Sequence, residues 1–348
     1  MIKLPHTHII HHLMPKFSKS GYIFSSVSTL IAVLLFPLFL VSAQSGDFDV
    51  RELQNRLDQK KAKMQEQINE RIVPNQYIVV FKDSVLDEDG VAGELEKKHR
   101  GVHVDTYHKV FKGFSGNFSA DQIAELKKDS RVAFVSEDRE VSIDRTSGPT
   151  ILAQTLPTGI DRVNAENKVN KGAGVQVAVI DTGIQTTHPD LQGAVIGGKS
   201  CVGGTYQDGN GHGTHVAGTI AAVNNGVGVV GVAPSAKLWA VRVLNSAGSG
   251  TWSSVICGID FVTSKAPKNG GSITVANMSL GGGGSSDNNC GNTNNDALHK
   301  AICRARDAGV TIVVAAGKSG VDASTSVPAA YDDAVITVSA LADSDGKV

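Results

Sequence analysis

Aromatic residues make up only 5% of the 348 residues and the formal net charge is −1. A balance so close to neutral gives no electrostatic reason to expect nucleic acid or an anionic membrane as a partner. Cysteine is scarce too: Cys201, Cys257, Cys290 and Cys303 are all there are, and none forms a CxxC pair, which argues against a cysteine-held zinc. No HExxH motif occurs, so His212 and His215 lack the base and third ligand that a zinc site needs. What the chain has in quantity is glycine, 38 residues, placed at the junctions where chemistry-bearing side chains stand.

The first 43 residues read as an export signal. Lys3, Lys16 and Lys19 precede the apolar run Val27 to Val41, and Val41-Ser42-Ala43 offers small residues for cleavage after Ala43. Pro37 interrupts that run, and the competing reading is a retained anchor. Export implies an oxidising compartment, in which four cysteines allow three pairings. Cys290 and Cys303 bracket one short loop and one helix, so a local bridge there leaves Cys201 for Cys257; the alternative is four buried thiols. Residues 44–74 form a charged linker, with Arg51 to Arg71 a solvated helix or spacer.

Residues 75–143 change pattern to strand, helix, strand, strand, helix, strand: QYIVVF at 76–81, VAGELEKKH at 91–99, VDTYHKV at 104–110, FSGNFS at 114–119, ADQIAELKKD at 120–129 and VAFVSEDREV at 132–141. Two helices on one antiparallel sheet is the ferredoxin-like α+β arrangement.

Downstream, two segments carry proton-handling groups. In VAVIDTGIQTTHPDL, Val177 to Leu191, an apolar run ends in Asp181 before Thr-Gly, as a buried parallel strand does with a carboxylate at its C-terminal tip. Sites of open α/β sheets are built at that edge. In DGNGHGTHVAGTIAAVNNGVGVVGVAP, Asp208 to Pro234, Gly211 and Gly213 flank His212, and small residues from Thr214 to Val223 follow at helical spacing. His212 therefore stands near a helix N-terminus facing the strand edge. Alone, Asp-Thr-Gly is a turn former and a helix histidine is a structural residue. A carboxylate orienting a histidine that serves a nucleophile is the logic of a Ser-His-Asp triad, and the order Asp then His leaves the serine last.

DTGI, HPDL, GHGTHVAGT, GVAP, NMSLGG at 277–282 and VVAAG at 313–317 together resemble the subtilisin family of serine proteases. The resemblance runs from Gln154 to Val348 and implies a doubly wound parallel α/β domain, C-terminally incomplete, with Asp181 and His212 as triad members and His215 as a packed helix residue. It makes residues 75–143 the family's propeptide, chaperone and inhibitor, and 144–153 the processing segment, with cleavage just before Ala153. Gly248, Ser249, Gly250, Ser279, Leu280 and Gly281 match the two edges that bind an extended peptide. Trp252, Val255 and Leu280 match an apolar side-chain pocket; for Trp252 the competing reading is core packing.

Gln154, Asp190 and Asn225, with the carbonyls of Val223, Val227 and Val229, match a structural calcium site; otherwise Asn224-Asn225-Gly226 is an ordinary turn. Lys318 stands where most subtilases carry an oxyanion-stabilising Asn, and its longer ammonium stem would have to fold back to reach the same point. The family's Gly-Thr-Ser-Met-Ala motif does not occur in these residues; Ser279, Ser319 and Ser339 lie in other motif positions.

Two functions follow from the resemblance. One is a secreted, monomeric serine endopeptidase precursor acting on polypeptides, inhibited by its own propeptide and not membrane-bound once the signal is cleaved. The other is an inactive pseudoprotease that binds peptides or inhibits proteases.

Overall fold

A computed structural model describes residues 51, 54–56, 58, 59, 71–143, 153–318 and 322–340. The export segment 1–43, most of the processing segment 144–153, and Ser319 lie outside the described residues. The described positions between 51 and 59 are helical and exposed, as a solvated segment should be. Among the described residues no helix is long and apolar enough to cross a membrane.

The first folded layer is the expected βαββαβ unit. It runs β1 (Ile72–Phe81), α1 (Glu88–His99), β2 (Val102–Tyr107), β3 (Gly113–Asn117), α2 (Ala120–Leu126) and β4 (Val132–Ser142). Local chemistry sets the helix starts. Asp87 accepts the Gly90 N–H at the head of α1, while Ser119 and Gln122 form a reciprocal capping box on α2. All neighbouring strands are antiparallel, in the order β2-β3-β1-β4. Strand alternation then divides the apolar side chains between two cores. Val79, Phe81, Leu95, Phe114, Phe118 and Leu126 fill the core beneath the unit's own helices.

The opposite face of that sheet does not meet water. Ile78, Val80, Tyr107, Val110, Phe111 and Val141 join one continuous core with the following domain. They pack over α5 (Trp252–Ser264), which is itself packed against α6 (Ala297–Asp307). Polar groups fix the docking. Asp260 of α5 accepts backbone N–H bonds from His108, Lys109 and Val110 at 3.1, 2.5 and 2.9 Å. At the other end of α5, Asp138 accepts from Ser253 N at 3.0 Å and Gln76 Nε2 at 2.6 Å, and Tyr107 donates to the Ser253 carbonyl. Burial pushes the Asp138 carboxyl up, and these donors limit the rise.

The second domain is a six-stranded, wholly parallel sheet, ordered β13-β11-β9-β5-β7-β6. Its strands are β5 (Gln176–Asp181), β6 (Val195–Ser200), β7 (Lys237–Arg242), β9 (Ile273–Met278), β11 (Thr311–Ala315) and β13 (Ile336–Val338). Helices cover both faces, α5 and α6 on one and α4 (His212–Ala221) on the other. This is the doubly wound arrangement expected for the sequence. A five-residue helix, α3 (Thr158–Arg162), precedes β5, and the short strands β8 (Ser249–Thr251), β10 (Gly282–Gly283) and β12 (Ser326–Val327) edge the cleft.

Both bridges form as the spacing suggested, Cys201–Cys257 and Cys290–Cys303. The first closes 56 residues and ties the end of β6 to the middle of α5. Replacing Cys201 and Cys257 by alanine should lower unfolding stability by about 2–4 kcal/mol. Urea denaturation measures this, and an unchanged midpoint would contradict it.

Candidate active site

Asp181 is the last residue of β5 and is completely buried. A carboxylate there must find donors, because burial without them is costly. The Thr182 N–H donates to Oδ1 at 2.7 Å. His212 Nδ1 lies 2.8 Å from Oδ1 and 3.0 Å from Oδ2. His212 opens α4 because Gly211, at φ 105°, turns the chain through a conformation that favours glycine. Gly213 is required for contact: a Cβ there would lie 2.2 Å from the Gly183 carbonyl and 3.2 Å from Asp181 Oδ1.

A third residue ties these elements together. Asp208 Oδ1 accepts from Thr182 Oγ1 at 2.9 Å, Asn210 N at 2.8 Å and Gly211 N at 2.9 Å. Its Oδ2 accepts from Thr214 N and Oγ1 at 2.9 and 2.6 Å. Thr182 Oγ1 in turn accepts the Gly213 N–H at 2.9 Å. Asp208 was absent from the sequence-derived site, although Asp followed by Gly-Asn-Gly is the signature of an Asx turn. His215, expected to be packed, is exposed on the solvent side of α4. The buried face of α4 is the row Gly213, Ala217 and Ala221, and His215, two residues from the first two of these, falls on the opposite side of the helix.

The hydrogen bond from Asp181 raises the His212 pKa above the ordinary imidazole value. Burial lowers it, the Asp181 and Asp208 charges raise it, and the Lys318 ammonium lowers it. Lys318 follows β11 and is exposed, close enough for its charge to act on His212.

The candidate cleft edges are already occupied. β4 continues past its own sheet and pairs antiparallel with β8, Glu140 with Thr251, Val141 with Gly250 and Ser142 with Ser249. On the other side Ser142 and Gly281 exchange N–H···O bonds of 3.1 and 3.3 Å. The Ile143 N–H donates to the Gly248 carbonyl at 3.1 Å. Trp252, Val255 and Leu280 are buried in one cluster with Val141. Ser279 is the exception among the edge residues, its Oγ accepting from Asn277 Nδ2 at 3.0 Å.

The six residues matched to a cation gather around the chain after Ala153. Ala153 bridges Val227 and Thr155 bridges Val229. Gln154 Nε2 donates to the carbonyls of both Val223 and Val229 at 3.3 Å. Asn225 Oδ1 accepts from Val227 N, and buried Asp190 Oδ2 accepts from Val229 N at 3.0 Å. Two carbonyls converging on one amide, which could equally turn its oxygen inward, make an oxygen-only cradle with one carboxylate. A second grouping, Cys290, His299, Cys303 and Asp333, brings potential ligand atoms within 4.8 Å. Its sulfurs are joined as a disulfide, so it offers no thiolates.

Comparison with known proteins agrees with this geometry. The model of the subtilase family matches residues 172–348, and that of peptidase inhibitor I9 matches residues 76–144. The chain belongs to the subtilase family. An alkaline protease of Shouchella clausii is 41% identical over 260 residues, covering 73% of this chain and 61% of that protein. Subtilisin E of Bacillus subtilis (strain 168) is 38% identical over 268 residues, 74% of this chain and 64% of its own. Subtilisin DY of Bacillus licheniformis is 48% identical over 198 residues, 54% of this chain and 65% of its own. This subtilase therefore spans under two thirds of the length of the curated relatives it matches.

Because the Asp181 bond favours imidazolium, the pair adds stability below the ordinary imidazole value and loses that contribution as pH rises through the raised one. Asp181→Asn should lower the His212 titration midpoint, followed by the ring resonances in NMR. A midpoint that stays or rises would contradict the assigned cause.

Proposed function

We propose that this subtilase is the precursor of a secreted serine endopeptidase, with Asp181 and His212 as two members of its triad. The observation that carries the reading is the 2.8 Å pairing of the fully buried Asp181 with His212, beside a cleft that already holds an extended strand. Asp181 keeps the Nδ1 proton in place, so that Nε2 is the basic atom turned to a nucleophile. That nucleophile is the serine of the Gly-Thr-Ser-Met-Ala motif, which these residues do not contain. His212 takes its proton, returns it to the leaving amine, and then activates the water that releases the acyl group. Lys318 is the candidate donor to the oxyanion.

Residues 75–143 act as the propeptide. Their last strand lies between Gly248–Gly250 and Gly281 as a substrate would, with backbone bonds for affinity and the pocket of Trp252, Val255 and Leu280 for preference. Processing within 144–153 frees residues from 154 onward as the catalytic domain, and residues 1–43 direct export through the linker 44–74. Lys318, in the place of an oxyanion donor, motivates the competing reading, a protein that binds peptides without cutting them.

Fluorophosphonate labelling separates the two. A covalent adduct is expected on a serine of a product that carries the Gly-Thr-Ser-Met-Ala motif, and none on the 348-residue chain. A motif-bearing product that stays unlabelled would leave peptide binding as the function.

Calcium is the proposed structural ion, held by Gln154, Asp190, Asn225 and the carbonyls of Val223, Val227 and Val229. It would tie the segment after Ala153 to the loop following α4. Calcium at a hundredfold excess over its Kd should stabilise the fold by about 2.7 kcal/mol, seen as a higher thermal midpoint. Asp190→Asn should abolish most of that increment, whereas an equal gain in parent and variant would place the ion elsewhere.

A further inference from the structure

β4 offers its side chains to the catalytic domain as any extended peptide would, and one of them makes a contact that the apolar pocket does not explain. Val141 is fully buried in the cluster of Val255 and Leu280, and its Cγ1 lies 3.7 Å from where a Cβ on Gly282 would stand. Two residues earlier, on the same face of the strand, the guanidinium carbon of Arg139 sits 5.1 Å from the ring centroid of Trp252. That distance lies within the range of cation–π attraction. Trp252 is 4% exposed and Arg139 half-buried, so the contact is partly desolvated, which strengthens it.

The surroundings suit a cation. A cleft of ≈ 700 Å³ opens beside this contact; the N-terminal unit supplies most of its lining, with Arg139, Lys127 and Glu137 as the charged groups, and the second domain supplies Trp252, Gly284, Ser285, Asn294, Asn295 and Asp296. Asp296 is 6% exposed and receives donors from His299 N and the Tyr331 hydroxyl, at 3.0 and 2.6 Å. A ring face, side-chain amides and a buried acid line one wall, and that wall belongs to the catalytic domain. It stays there when the propeptide leaves. A peptide bound in the register of β4 places its own side chain over the same ring.

We propose that the ring face of Trp252, a residue shared with the apolar pocket, forms with Ser285, Asn294, Asn295 and Asp296 a further subsite for a cationic side chain, arginine or lysine. That side chain stands two residues upstream of the one that fills the Val255 and Leu280 pocket. The inference rests on reading the cleft as the peptide-binding site of an endopeptidase. A carboxylate at that position would face the negative ring face and the Asp296 side of the cleft, and is selected against.

The first test uses the full chain and needs no catalysis. Amide hydrogen exchange at Ser142 and Gly281, whose N–H groups bond across the cleft, reports how often β4 opens. Arg139→Ala and Arg139→Glu should speed exchange about threefold to tenfold, with Arg139→Lys close to the parent. In a Trp252→Leu background the Arg139→Ala effect should vanish. Unchanged exchange in Arg139→Ala, or an equal increase in the Trp252→Leu background, would overturn the subsite.

The second test uses a product bearing the serine motif and peptides with Arg, Lys, Ala or Glu at that position. kcat/KM should fall several-fold from Arg or Lys to Ala, and again to Glu, chiefly through KM. Cleavage without this order would remove the subsite alone. No cleavage of any peptide would remove the endopeptidase reading and leave exchange to decide the subsite.

Discussion

A carboxylate with no exposure to water needs donors within reach, and Asp181 at the tip of β5 imposes that demand on everything around it. The Thr182 N–H and the His212 ring meet it. To bring His212 there, the chain must turn through Gly211, approach within backbone contact at Gly213 and begin α4 at that point. Asp208 holds the approach rigid by gathering five donors from Thr182, Asn210, Gly211 and Thr214. The parallel sheet supplies the fixed platform on which this geometry is repeatable.

The same economy governs the join between the domains. The apolar face of the N-terminal sheet has no cover within its own unit, so Ile78, Val80, Tyr107 and Phe111 find it on α5, in one core with the following domain. Asp138 and Asp260 then satisfy opposite sides of the contact, one at the buried Ser253 N–H in the first turn of α5, the other at the turn of residues 108–110 in the N-terminal unit. Helix ends and tight turns carry unsatisfied N–H groups, so a carboxylate at each fixes orientation as well as adhesion.

Much of this was legible in the residues, and the reason differs by element. The βαββαβ order and the strand bearing Asp181 follow from alternation and apolar runs, which are local signals. His212 beside a helix start follows from its glycines. Asp208 escaped because its importance lies in five donors converging on one side chain, which no periodicity encodes. Asp138 and Asp260 escaped because their partners stand more than a hundred residues away. His215 was misread because small residues from 214 to 223 carry weak contrast between the faces of α4; the buried row proved to be Gly213, Ala217 and Ala221, which leaves position 215 to solvent.

One sheet crosses the domain boundary: β8 of the subtilase domain is the fifth strand after β2-β3-β1-β4. Backbone bonds so arranged couple the two halves thermodynamically, since opening either one strips partners from the other. Local opening at this edge is therefore shared, and neither the N-terminal unit nor the subtilase domain frees its strand alone. Severing the peptide beyond β4 leaves the same bonds in place but makes their contribution depend on concentration, so that dilution alone separates what covalent linkage held together.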